Sequence, residues 1–303
     1  MTLNCQHLER LTSLTILHGE LSCDTGLHIG TGEHVSPGAS DLPVAKDAVG
    51  HPFIPGSSLK GVLRSLAERL VSSLTPVECP IDPVRFGQKF TSCLLHTESH
   101  FCLSTCQAYK DEFTRKQDRD EFRSDNEMTG WIRQHTCSIC QFFGSPYLAG
   151  RVWVKDAFVS SEPLPLEVRS GVAIDRDRRA AAAHLLFDLE VVSPTTGFDV
   201  EIRVENADRV ELGLLFLVLD QLNQGELRLG GRGSAGLGWV QFQRTQVVHL
   251  AADEGDDAIY RARLLNYLLG QDVGILPASE ADALWQDAKA AFAQRIREGW
   301  SHA

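Results

Sequence analysis

The stretch that most constrains this chain runs from Gly26 to Leu70: GLHIGTGEHVSPGASDLPVAKDAVGHPFIPGSSLKGVLRSLAERL. A strand ends there in a bend containing Gly26, Gly30 and Gly32. A loop follows with Asp41 among small residues and a proline, and Ile54-Pro55-Gly56-Ser57-Ser58 then opens a helix. Ser57 or Ser58 is suited to cap that helix, because a hydroxyl oxygen can accept from an orphan amide of the first turn. Gly56 lets a backbone group or a ligand come close. Uncapped amides and the positive end of the helix dipole favour an anion such as a phosphate. Lys60 and Arg64, four residues apart, share one face of the same helix. The set predicts a polyanion site.

The chain has 303 residues, room for one large domain or two small ones, and at 43% hydrophobic it can bury a core. No apolar run approaches ~20 residues, so no membrane span is expected. The first residues, MTLNCQHLERLTS, lack the apolar segment of a signal peptide. A cytoplasmic location follows, in which the eight cysteines serve as thiols or metal ligands rather than disulfides. The net charge of −11 argues against coating nucleic acid by bulk charge. Residues 251–303 hold nine acids and five bases, so this tail alone contributes −4. Lys46, Lys60, Arg64, Arg169, Arg176, Arg178, Arg179, Arg228 and Arg232 gather near the glycine motifs, which allows a local basic groove.

Alternation over residues 11–24 predicts a half-buried strand, with Leu17, Gly19, Leu21 and Cys23 on one face. Leu59, Val62, Leu63, Leu66 and Leu70 recur at helical spacing over 57–73. The pattern breaks up from about 76 to 145, rich in cysteine, histidine and charge, as in an insertion. Arg151–Phe158 returns as a strand, and 160–188, with its charged run Asp175-Arg176-Asp177-Arg178-Arg179, suits an exposed hairpin. Two strands, 186–192 and 198–204, are joined by a turn at Ser193–Gly197; a helix over 207–223, a glycine loop and a strand over 239–248 follow. Without the insertion the order is βαββαβ. This predicts an α+β, ferredoxin-like (RRM-like) core over residues 1–250, with an acidic helical extension over 251–303.

Three constellations carry chemistry. The loop Leu229–Gly238 holds five glycines and Arg232, so consecutive amides at Gly231 and Gly233 and an arginine fork can meet a phosphate. The alternative is a flexible turn before an edge strand. Cys102-x3-Cys106 and Cys137-x2-Cys140 form two short-spaced pairs that suit structural zinc, with Cys93 or His100 able to replace Cys102 or Cys106. His96-x-Glu98 with Cys137-x2-Cys140 also matches the loose pattern of zinc nucleobase deaminases, although Thr136 stands where those enzymes carry proline. Asp41 is the candidate catalytic group, able to hold a divalent metal or position a ribose 2′-OH, with Asp47 as the competing choice. His28 can stack on a base or ribose, or be a turn residue.

Together these residues resemble the RAMP proteins of type III CRISPR effector complexes, specifically the backbone (group-seven Cas) subunits. The similarity lies in Thr25–Gly30, Asp41-x-Pro43-Val44-x-Lys46-Asp47, Ile54–Gly61, Cys137-x2-Cys140-x2-Phe143-Gly144, Val172–Arg176 with Leu186–Glu190, and Gly230–Gly233 through Leu237-Gly238, spanning about residues 12–245. The resemblance implies a subunit that stacks with other Cas subunits along a crRNA. The helix-start and glycine loops would hold the guide backbone through Gly30, Gly56, Ser57, Ser58, Lys60, Arg64, Gly231, Arg232 and Gly233. The hairpin bearing Arg176 would be a thumb that pushes between bases. Asp41 would cut paired target RNA with Mg2+ or Mn2+. The zinc insertion resembles that of the type III-D and III-E branches. A prokaryotic, membrane-free setting is implied. A guide-holding subunit without nuclease activity is the alternative, and the tail after residue 250 is free to contact a neighbouring subunit.

Overall fold

In the computed structural model the described residues are 10–30, 40–75, 90–93, 102–162, 165–175, 180–252 and 257–301. The chain is an α+β protein built on an antiparallel sheet. Its central strand, β1 (Ser13–Cys23), pairs on one side with β7 (Gly197–Glu205) and on the other with β8 (Val240–Ala251). The alternation read in the sequence sets the faces: Leu17, Leu21 and Cys23 are buried while Glu20 points to solvent. A bulge at His18/Gly19 shifts the register against β8. Gly19 is required there, because a Cβ would lie 2.4 Å from the Phe242 ring.

The sheet order is β2-β4-β7-β1-β8, where β2 is Phe53–Ile54 and β4 is Ala157–Val159; β3 (Val152–Val154) also pairs with β7. The single strand expected over Arg151–Phe158 is therefore split at Lys155-Asp156. Helix α1 (Gly56–Leu74) explains the break: a Cβ at Gly56 would lie 2.2 Å from the Val154 carbonyl oxygen, so the helix start is wedged against the gap. Leu59, Leu63 and Leu66 of α1 are buried with Leu17, Leu21, Phe198 and Ile202 of the sheet in one core.

Inside the expected insertion lie α2 (Gln107–Asp118), α3 (Asp125–Gln134) and the short α4 (Ser138–Phe143). The hairpin forms a separate two-stranded sheet, β5 (Glu167–Asp175) with β6 (Ala180–Val191), in register from Glu167↔Val191 through Val172↔Leu186. Helix α5 (Arg209–Asn223) begins with a capping box between Asp208 and Glu211. Glu211 also takes the buried Arg151 guanidinium, which donates to the Asn206 carbonyl at 2.6 Å as well.

The acidic tail folds back on the core. Helix α6 (Asp257–Leu268) places Tyr260 over Leu14, Ile16, Val248 and Leu250. Helix α7 (Ala278–Ser301) runs along α5 and contributes Trp285, Ala288, Phe292 and Ile296 to the main core. Gly213 makes this approach close, since a Cβ would fall 2.0 Å from the Ala288 carbonyl oxygen. The Phe216 and Trp285 rings stack at 4.0 Å, and Lys289 Nζ and Trp285 Nε1 both donate to Asp220. No helix of the described residues is long and apolar enough to cross a membrane.

Candidate nucleic-acid interface and metal centre

Four segments meet at the base of the β5–β6 hairpin. Leu27 bridges Val192, Gly30 bridges Val44, and Leu42 bridges Leu189. His28 is buried among them, and its Nδ1 lies 2.9 Å from the Glu190 carbonyl oxygen. A carbonyl only accepts, so Nδ1 carries the proton and Nε2 is left as an acceptor. The ring rests against two glycines. A Cβ at Gly30 would lie 3.3 Å from His28 Nε2, and one at Gly231 would lie 3.4 Å from its Cδ2. The Gly231 amide donates to the His28 carbonyl oxygen at 2.8 Å, which ties the glycine loop to the first strand's exit. Gly230 has φ +79° and no room for a side chain, its Cβ position being 2.2 Å from the same oxygen. Arg232 adopts the left-handed conformation, φ 61°, that favours glycine, and Gly233 begins the short turn that follows. The exposed Arg232 guanidinium lies over the Phe187 ring at 4.5 Å. Arg176 lies outside the described residues.

Asp41 stands at the same place. It is exposed, and its Oδ2 accepts from the Asp188 amide at 2.9 Å. Ser40 donates to the Asp188 carbonyl at 2.7 Å. Among the described residues, Asp41 Oδ1 has no hydrogen-bond partner. Asp47 is different: its Oδ1 accepts from the amides of Val49 at 3.0 Å and His51 at 2.8 Å, closing a turn. Lys46 pairs with Glu190 at 2.9 Å, and Glu190 also accepts from the Val44 amide.

The helix start differs from the capping expected of it. The N-cap is Pro55, and neither Ser57 nor Ser58 caps. The Gly56 amide donates instead to Asp156 Oδ1 at 2.7 Å, so a carboxylate already occupies the helix's positive end. Lys60 Nζ donates to the Val152 carbonyl at 2.7 Å, and burial followed by the charge of Arg64 lowers its pKa below the ordinary lysine range. Arg64 is bonded to Glu68, to the Gly144 carbonyl and to Cys140 Sγ. Lys60 and Arg64, expected to face a phosphate, are both half-buried and bonded within the protein in this structure. Ser57 is exposed and Ser58 partly so.

The cysteines assemble from three separate places in the chain, one of which supplies both Cys137 and Cys140. Cys93, Cys102, Cys137 and Cys140 are all buried, with their sulfurs within 4.8 Å of one another. The Cys93–Cys140 and Cys93–Cys137 sulfur distances are both 3.6 Å. A tetrahedral ion with sulfur ligands at about 2.3 Å holds them about 3.8 Å apart, so the set fits a four-thiolate metal site such as one for zinc. The amides of Cys93 and Cys140 donate to Cys137 Sγ, and that of Cys137 to Cys102 Sγ, each at 3.4 Å. Hydrogen bonds from Cys137, Cys140 and Cys93 hold the Cys102 thiol below its ordinary pKa. Cys106 does not join: it is the N-cap residue of α2, and Cys93 takes the place that spacing had assigned to it. Cys79, His96 and His100 lie outside the described residues. Four sulfurs in contact leave no histidine ligand and no open position in the set, unlike the deaminase arrangement of one histidine, two cysteines and a water.

Asp156 is not singled out by the sequence, and Phe187 and Glu190 enter there only within the Leu186–Glu190 segment. Their signal is spatial, since each acts on a residue at least 45 positions away.

A family model described as the RAMP superfamily matches residues 20–241. The chain belongs to the RAMP superfamily. It is similar to a protein of Streptococcus thermophilus named CRISPR system Cms endoribonuclease Csm3, 27% identical over 256 residues, covering 84% of this chain and 96% of the relative. The protein of that name from Methanocaldococcus jannaschii is 49% identical over 65 residues, 20% of this chain and 26% of the relative. That of Methanothermobacter thermautotrophicus is 46% identical over 69 residues, 21% and 28%. In these two the match spans only about a quarter of the relative's length.

Proposed function

We propose that the chain is a backbone subunit of a type III CRISPR effector complex that holds crRNA and cuts complementary target RNA. The observation that carries the cleavage role is the exposed Asp41 carboxylate, pinned by one oxygen to Asp188 of the hairpin whose Glu190 and Phe187 meet His28 and Arg232. Relatives whose name includes endoribonuclease support it. The strand order β4-β7-β1-β8, with α1 and α5 in the crossovers, supports a ferredoxin-like core over residues 1–250. Gly30, Gly231, Arg232 and Gly233, with His28, Ser57, Ser58 and the hairpin's Arg176, form the guide-holding set. Gly56, Lys60 and Arg64, whose internal bonds also position α1, belong to the same proposed set.

A single exposed carboxylate suits a hard cation shared with substrate phosphates, so Asp41 would hold Mg2+ or Mn2+, which supplies charge neutralisation at the scissile phosphate. Asp41 itself holds or orients the 2′-OH side of the target strand. The four-cysteine cluster binds zinc, as in the type III-D and III-E branches, and the partners are crRNA, target RNA and other Cas subunits in a prokaryotic cytoplasm. The test is cleavage of a guide-complementary RNA by the assembled complex with magnesium or manganese. Parent complex that binds target and leaves it uncut opposite this subunit assigns it the guide-holding role alone.

A further inference from the structure

The geometry points to Arg64 as the positioning residue that neutralises the four-cysteine metal centre and locks it to helix α1. This rests on the zinc reading of that cluster. Four thiolates around a divalent cation leave a net double negative charge, and all four cysteines are buried at 3% exposure or less. Buried charge must be met by donors or countercharge. Backbone amides supply donors to Cys137 and Cys102. Arg64 supplies a cation: its Nη2 is 3.3 Å from Cys140 Sγ.

The rest of the guanidinium is committed to both sides of the contact. Nη1 donates to the Gly144 carbonyl at 2.7 Å, immediately after the helix that carries Cys140, and Nε donates to Glu68 at 2.8 Å on its own helix. The planar fork thus spans a sulfur, a carbonyl and a carboxylate at once, which a lysine ammonium on one point cannot do. The metal centre and the first crossover helix become one mechanical unit. Outer-sphere groups of this kind typically tune metal affinity by roughly 10–100-fold.

The experiment uses the full chain. Zinc content is measured on the parent, and zinc affinity by competition with a chromogenic chelator on the parent, Arg64→Met, Arg64→Lys and Arg69→Met. Arg69 lies on the same helix and bonds the Glu226 carbonyl. Arg64→Met should hold zinc roughly 10–100-fold more weakly, Arg64→Lys should recover part of the loss, and Arg69→Met should match the parent. In cobalt-substituted protein the d–d bands of Arg64→Met should shift, which a purely structural loss elsewhere would not produce. If Arg64→Met does not fold, Arg64→Lys carries the test by the same two readouts. Zinc-loaded parent with unchanged affinity and spectrum in the Arg64 variants overturns this assignment alone. A folded parent devoid of metal overturns the zinc reading and the assignment with it.

Discussion

Asp41 accepts a hydrogen bond from the backbone of Asp188, 147 residues later, at 2.9 Å. The loop that carries the candidate catalytic carboxylate is thereby fixed to the hairpin, so loop and hairpin present one surface. Asp41→Asn keeps this acceptor through the amide oxygen and removes the charge. Target binding should be unchanged, while cleavage falls by roughly 10²–10⁴-fold, the usual worth of such a group. Asp47→Asn should leave cleavage near the parent rate, because that carboxylate serves its own turn. Cleavage lost in Asp47→Asn and retained in Asp41→Asn reverses the assignment.

Arg232 occupies a backbone conformation that costs an L-residue about 1 kcal/mol. Arg232→Gly should therefore bind RNA more weakly, with the slope of log affinity against log salt reduced by about one unit. Its thermal stability should equal or exceed the parent's. A variant that loses stability and keeps its RNA affinity would assign Arg232 to the fold instead.

Metal content separates the cysteines. Cys137→Ser and Cys93→Ser should lose bound zinc and destabilise the insertion, whereas Cys106→Ser should retain about one zinc per chain. Elemental analysis of the three purified variants decides it, and zinc loss in Cys106→Ser would show that spacing had named the right ligand.

Burial pushes the Cys23 thiol up from 9.0 to about 12, with the charge of Asp24 adding to it. The unfolded chain then releases this proton first. The contribution is whole below pH 9 and is lost by about 1.4 kcal/mol per pH unit between about 9 and 12. Denaturant titrations of parent and Cys23→Ala over that window should differ by this slope, and parallel curves would show that Cys23 ionises as freely as in the unfolded chain.

Gly213 faces the Ala288 carbonyl with no space for a side chain. Gly213→Val should strip α7 from α5 and cost roughly 1–3 kcal/mol or more, read as a fall in melting temperature with exposure of Trp285 fluorescence to quenchers.

Local periodicity carries what local residues decide. Leu59, Leu63 and Leu66 mark α1, and Leu17, Leu21 and Cys23 mark the buried face of β1. The Asp208–Glu211 capping box is visible as a D-x-x-E spacing. Functions decided by distant partners were not legible. Nothing near Gly56 announces that Asp156 will take its amide, and nothing near Lys60 announces the Val152 carbonyl. Cysteine spacing marked Cys137 and Cys140, but Cys93, Cys102 and Cys106 are equivalent until the backbone brings two of them within reach. The glycine loop was legible because part of its constraint is local: Gly230, Gly236 and Gly238 all take positive φ, which favours glycine.

The seating of α7 on α5 also sets a timetable for biosynthesis. Trp285, Phe292 and Ile296 complete a core whose sheet strand β1 begins at Ser13. The ribosome must therefore release the α7 segment before that core can close, and β1 waits for β7 and β8 through most of translation. Closing of this core is consequently a late folding event, dependent on a helix made long after β1.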